Sequence, residues 1–132
     1  MYTGAELPRE YPDEMSVLVS DVVVWEKEFR CFVLERTLKT YSLYSRFGEL
    51  ERESEFASTP EEDKSVQQFI STLLADERVD LPCATVVDIG FIQGKGWACV
   101  EQNAAWGAGI YGCDPVAVLD VLMRASTKIP SL

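Results

Sequence analysis

Apolar positions along this chain recur with two different periods, and each change of period marks an element. Val66, Phe69, Ile70, Leu73 and Leu74 step by three and four residues, which lays one apolar stripe along a helix. Thr59-Pro60-Glu61-Glu62 just upstream is a capping box with proline at the first helical position, so that helix starts there. Asp114-Pro115 opens a second helix with Val118, Val121, Leu122 and Ala125 on one face and further apolar residues around it, the pattern of a well-buried helix. Elsewhere the signal is β. Val17 to Trp25 is a valine-rich strand, and Phe29 to Leu34 with Leu38 to Tyr44 forms a hairpin turning at Arg36-Thr37, without the Gly or Asn a tight loop prefers. Glu28, Arg30, Phe32 and Leu34 share one face of its first strand, and Phe29, Cys31 and Val33 the other. A strand apolar on both faces but charged at one end leaves the core at that end.

Thr85 to Ile92 and Trp97 to Asn103, joined by Gln93-Gly94-Lys95-Gly96, read as a second hairpin. A two-residue loop at Gly94-Lys95 and a four-residue loop from Gln93 to Gly96 give the same register, with Ile92 facing Trp97 and Asp88 facing Glu101. Asn103 follows two residues on, on the same face. A three-residue loop would shift this register. Opposed side chains have Cβ atoms roughly 4.5–5.5 Å apart, and like charges at that distance destabilise a sheet unless something neutralises them. A divalent cation would do so, and two carboxylates with an amide carbonyl are hard donors that suit Mg²⁺ better than zinc. A nearby Lys or Arg, or protonation of one carboxylate, would serve equally.

Residues 1–14, with Pro8, Pro12 and five charged side chains, form an extended lead-in, and residues 15–132 are expected to make a single domain. A 132-residue chain with 47% hydrophobic content can bury one core. The fold class is α+β: a mostly antiparallel sheet of five or six strands with two main helices on one side. The 22 acidic residues against 12 basic, a net charge of −10, exclude a nucleic-acid footprint and disfavour an anionic membrane surface. No apolar run approaches the roughly 20 residues of a transmembrane helix, and the amino terminus lacks the features of a signal peptide. A cytoplasmic location is expected. Histidine is absent, and Cys31, Cys83, Cys99 and Cys113 have no C-x-x-C spacing, which removes zinc sites and histidine-based nucleophilic catalysis. All four cysteines are expected as free thiols, Cys31 and Cys99 buried within strands. Seven acidic residues between Glu49 and Asp63 mark a mobile or solvated surface segment.

Gly107-Ala-Gly109-Ile-Tyr-Gly112 fits G-x-G-x-x-G, but the 20 residues that follow leave no room for the second strand and acidic residue of a dinucleotide fold. These glycines either let the backbone approach a ligand or make a tight strand-to-helix connection.

Asp88 followed by Glu101-x-Asn103 on paired strands resembles the magnesium-binding end of the ATP-grasp fold. The longer run Glu101-Gln-Asn103-Ala-Ala-Trp106-Gly107-Ala-Gly109-Ile-Tyr111-Gly112-Cys-Asp114-Pro115, with Ser20-Asp-Val-Val-Val-Trp25-Glu-Lys-Glu28-Phe-Arg30-Cys-Phe-Val upstream, is similar to the R-two-K clade of that superfamily. The resemblance implies a carboxy-terminal ATP-grasp lobe that binds ATP and Mg²⁺ (or Mn²⁺) in an ATP-dependent carboxylate–amine or carboxylate–thiol ligase working through an acyl-phosphate. Asp88, Glu101 and Asn103 would be the metal ligands. Arg30 would be the clade's arginine, aimed at phosphate or acyl-phosphate, and Glu28 would orient Arg30 or contact the ribose. Arg46 and Lys128 are weaker candidates for anion contacts. The adenine-binding hinge would fall near Val17 to Val24. The lobe carrying the two phosphate-binding lysines has no counterpart before residue 15, so the chain is expected to act with that lobe in cis or in trans, on a small-molecule or peptide carboxylate. A bare lobe interface implies a tendency to form homodimers. The alternative is a non-catalytic α+β binding or assembly module that keeps the fold without the activity.

Overall fold

A computed structural model describes residues 10–126 of the chain. The elements in order are β1 (Trp25–Leu34), β2 (Thr37–Arg46), β3 (Glu49–Leu50), α1 (Pro60–Ala75), β4 (Ala84–Ile92), β5 (Gly96–Asn103), a 3₁₀ turn (Ala105–Gly107) and α2 (Pro115–Arg124). They form an α+β fold whose antiparallel sheet has the order β3-β2-β1-β4-β5. β1 is the central strand, which is why its residues are apolar on both faces.

The two helices lie on opposite faces of the sheet, not on one side. Side chains alternate along β1 and β4, and the two alternating sets join different clusters. Phe29, Cys31, Val33, Val87 and Ile89 pack against Val66, Ile70 and Leu74 of α1. Phe32, Ala84 and Val86 pack against Val118 and Val121 of α2, with Ala105 and Cys113. Each helix thus covers its own face of the sheet. α2 covers only the end of its face that carries Phe32, Ala84 and Val86. At the other end of that face stand Glu28, Arg30, Asp88 and Gly90.

α1 begins as its capping box predicts, Thr59 Oγ1 accepting from the Glu62 amide and Glu62 Oε2 from the Thr59 amide. Other expectations are corrected. Residues 17–24 form no strand, and Val17, Leu18, Val19 and Val22 are exposed. A β-prone run needs a partner strand, and none lies beside this one among the described residues. α2 is buried on one face only, since Val116, Leu119 and Met123 are 70, 53 and 67% exposed. The first hairpin turns one residue early, at Glu35-Arg36, with φ of 48° and 60°. Arg36 then reaches the end of α1, its guanidinium donating to the carbonyls of Leu74, Asp76 and Val79. All four cysteines are free, but Cys99, on edge strand β5, is exposed. No helix among the described residues is long and apolar enough to cross a membrane.

Candidate functional site

Arg30 lies in the central strand directly between Ser42 of β2 and Asp88 of β4. Its Nε donates to Asp88 Oδ1 at 3.0 Å and its Nη2 to Asp88 Oδ2 at 2.7 Å, a bidentate pair. Asp88 is 0% exposed and Arg30 7%. The hydrogen bond to Asp88 holds the guanidinium pKa above its ordinary value against the opposing effect of burial.

The other side of the guanidinium is contacted by the segment between β5 and α2. Arg30 Nη1 donates to the Gly109 carbonyl at 3.1 Å. Its Cζ lies 5.3 Å from the Tyr44 ring centroid and 5.1 Å from that of Tyr111, and the two rings stack on each other at 5.1 Å. Tyr44 donates its hydroxyl to Glu28 Oε1 at 3.2 Å. Burial, with the charges of Asp88 and Glu28, raises the Tyr44 pKa well above the ordinary range, so the phenol stays a donor. Glu28 therefore bonds to Tyr44, one of the rings against which Arg30 rests.

Across the β4–β5 hairpin Asp88 pairs with Glu101. The route to that pairing differs from the expected one. Ile92 pairs with Gly96 and Phe91 with Trp97, so Gln93-Gly94-Lys95 is a three-residue loop and the register beside it is shifted by one residue. Positive φ at Gly94 (76°) and Gly96 (104°) makes this loop possible. An irregularity between Asp88 and Ile89, where β5 passes from Glu101 to Cys99 and leaves Val100 unpaired, shifts the register back. Glu101 is exposed, and Asn103 Nδ2 donates to its Oε1 at 3.0 Å, a contact that does not use the side-chain Oδ1 of Asn103, while the Asn103 backbone carbonyl accepts from Thr85 Oγ1 at 3.1 Å.

The sequence-predicted residues thus fall into two adjoining pairs on neighbouring strands, Arg30 with Asp88 and Glu101 with Asn103. Arg46 is elsewhere: it makes two hydrogen bonds to Glu62, of 2.8 and 3.0 Å, and lies 3.7 Å from Glu51. Lys128 falls outside the described residues. Of the glycines of G-x-G-x-x-G, only Gly112 is demanded by the packing of the connection, whereas Gly107 and Gly109 have room for a side chain. A Cβ on Gly112 would come within 2.8 Å of Phe56 Cβ, and the Gly112 amide donates to Ser42 Oγ at 3.2 Å. Tyr44 and the Gly109 carbonyl were not legible as parts of the site: Tyr44 sits at a bulge in the β1–β2 register, where Glu28 pairs with Ser45 and Phe29 with Leu43, and Gly109 meets Arg30 only through the folding of the 105–114 segment.

The family described as the ATP-grasp domain, R-two-K clade family 2, matches residues 1–121. No curated protein and no solved structure matches the chain.

Proposed function

Because this chain belongs to the R-two-K clade of the ATP-grasp domains, a nucleotide-binding family of ATP-dependent ligase type, we propose that it is the metal- and ATP-binding half of a carboxylate–amine or carboxylate–thiol ligase. The observation that supports this most is the placement of Arg30, Asp88, Glu101 and Asn103 beside one another on three neighbouring strands, Arg30 and Asp88 at the end of the sheet face that α2 leaves uncovered.

The donor set fits a hard cation. Asp88 and Glu101 are opposed carboxylates, and Asn103 supplies an amide oxygen two residues on. These three would hold Mg²⁺, which when bound neutralises charge on the nucleotide phosphates and so favours phosphoryl transfer to a carboxylate. Arg30 supplies a fixed positive charge with N–H groups in a planar fork suited to a phosphate or acyl-phosphate oxygen. Glu28, through Tyr44, holds in place one of the aromatic rings against which Arg30 rests.

The test is calorimetry with Mg²⁺ or Mn²⁺, with and without ATP, on the chain and on Glu101→Gln. Metal-dependent ATP binding that weakens in Glu101→Gln supports this function. ATP binding indifferent to metal and to Glu101 overturns it. A second reading, the non-catalytic module, is favoured by one observation: both Asp88 oxygens are already taken by Arg30.

A further inference from the structure

We propose that Arg30 is the resident counter-ion of the cation site, giving up Asp88 when a divalent ion binds and then serving a second anion. This rests on the function proposed above, since it assigns Asp88 to the cation that accompanies the nucleotide.

Asp88 has no exposed surface, and each of its oxygens accepts one Arg30 N–H, at 3.0 and 2.7 Å. A buried carboxylate needs a counter-charge. Guanidinium and divalent cation would compete for the same two buried oxygens and repel each other across them, so the binding of one weakens the hold of the other.

Displacement takes Arg30 from its ionic partner until an anion arrives, but does not leave it without contacts. Arg30 keeps its bond to the Gly109 carbonyl at 3.1 Å and its positions 5.3 and 5.1 Å from the Tyr44 and Tyr111 rings. Arginine has five N–H donors. Three are used here, and leaving Asp88 frees two more for an incoming anion such as a phosphate oxygen. Glu101, exposed and opposite Asp88, gives an arriving cation its first ligand before the exchange. The cost is low affinity for metal alone, because the binding-competent state, with Arg30 off Asp88, is the minor one.

The test uses Mn²⁺ alone, without nucleotide, titrated by calorimetry into the full chain, into Arg30→Gln and into the double variant Arg30→Gln/Asp88→Asn. Removing the competitor should tighten Mn²⁺ binding by about tenfold or more, and the double variant should lose that gain. Thermal unfolding gives a second readout: Mn²⁺ should raise the Tm of Arg30→Gln and leave that of the double variant unchanged. Should Arg30→Gln not fold, Arg30→Lys, which keeps the charge but not the fork, is used instead, again with tighter binding expected. Affinity no higher than wild type in the folded single variant, or a gain retained in the double variant, overturns the proposal. If metal-dependent ATP binding by the wild type persists while the gain is absent, only the counter-ion proposal falls. If no variant binds Mn²⁺ with or without ATP, both readings fall.

Discussion

Asp88 stands opposite Glu101 because two irregularities cancel: the three-residue loop at Gln93-Gly94-Lys95 shifts the β4–β5 register by one residue and the bulge at Val100 shifts it back. The two carboxylates share a face but differ in environment, one buried on an arginine and the other exposed. Their substitutions should therefore separate. Asp88→Asn leaves a buried guanidinium without its ionic partner and should cost roughly 3 kcal/mol. Glu101→Gln should change stability by no more than about 0.5 kcal/mol, as for an exposed site, while weakening metal-dependent ATP binding. Urea unfolding beside calorimetry checks both. Equal stability losses would mean that the two environments are not distinct.

The Glu62 carboxylate links α1 to the sheet and should govern part of the acid sensitivity. It accepts two hydrogen bonds from Arg46 and one from the Thr59 amide, and lies 3.3 Å from Lys27 Nζ. Burial pushes its pKa up, but the bonds from Arg46 and Thr59 outweigh that and hold it at about 2, below the ordinary 4.5. A carboxyl whose folded pKa is depressed stabilises the fold above its unfolded pKa and loses that contribution as pH falls through the folded one. The loss should thus run from about pH 4.5 to 2 and amount to about 3 kcal/mol at most. Glu62→Gln should be less stable at pH 7 and show a flatter decline on acidification, measured by urea unfolding at stepped pH. Parallel pH profiles for the two proteins would refute this assignment.

Legibility in the sequence followed the range of the interaction. α1 was readable because Thr59, Glu62 and the Val66–Leu74 stripe are local signals that packing then respects. The opposition of Asp88 and Glu101 was readable as an outcome although its route was not, since bulges leave no consistent mark on composition. Residues 17–24 look like a strand because β-propensity reports what a segment could pair with, not whether a partner is there. The placement of the helices on opposite faces was hidden for a similar reason: alternation in β1 shows two apolar faces without saying which helix covers which.

Gly90 is a packing requirement of the site face. A Cβ added there would meet Trp25 Cε3 at 2.6 Å and the Lys27 carbonyl oxygen at 2.8 Å. A ring can shift, but the carbonyl belongs to the neighbouring strand and cannot. Gly90→Ala should therefore destabilise by about 1–3 kcal/mol, and adding Trp25→Leu should recover only part of the loss. Complete recovery in the double variant, measured by chemical unfolding, would show that the ring alone demands the glycine.

The turn between β1 and β2 offers a stabilising substitution on one side of a peptide bond and a destabilising one on the other. Glu35 and Arg36 both occupy the left-handed region, at φ of 48° and 60°, where asparagine and glycine are at ease and other residues are strained. Glu35 is exposed, and its one polar side-chain contact among the described residues is a surface ion pair with Arg124 at 2.7 Å, worth little in water. Glu35→Asn should therefore raise stability by about 0.5–1 kcal/mol. Arg36 carries the same backbone strain but also donates to the Leu74 and Asp76 carbonyls, groups that the end of α1 leaves open, and to the Val79 carbonyl just beyond it. Arg36→Gly relieves the strain and forfeits those bonds, each worth about 1 kcal/mol, so the net change should be a loss. Thermal and urea unfolding of the two single variants decide the matter, and a gain in both would mean that Arg36 adds nothing to the end of α1.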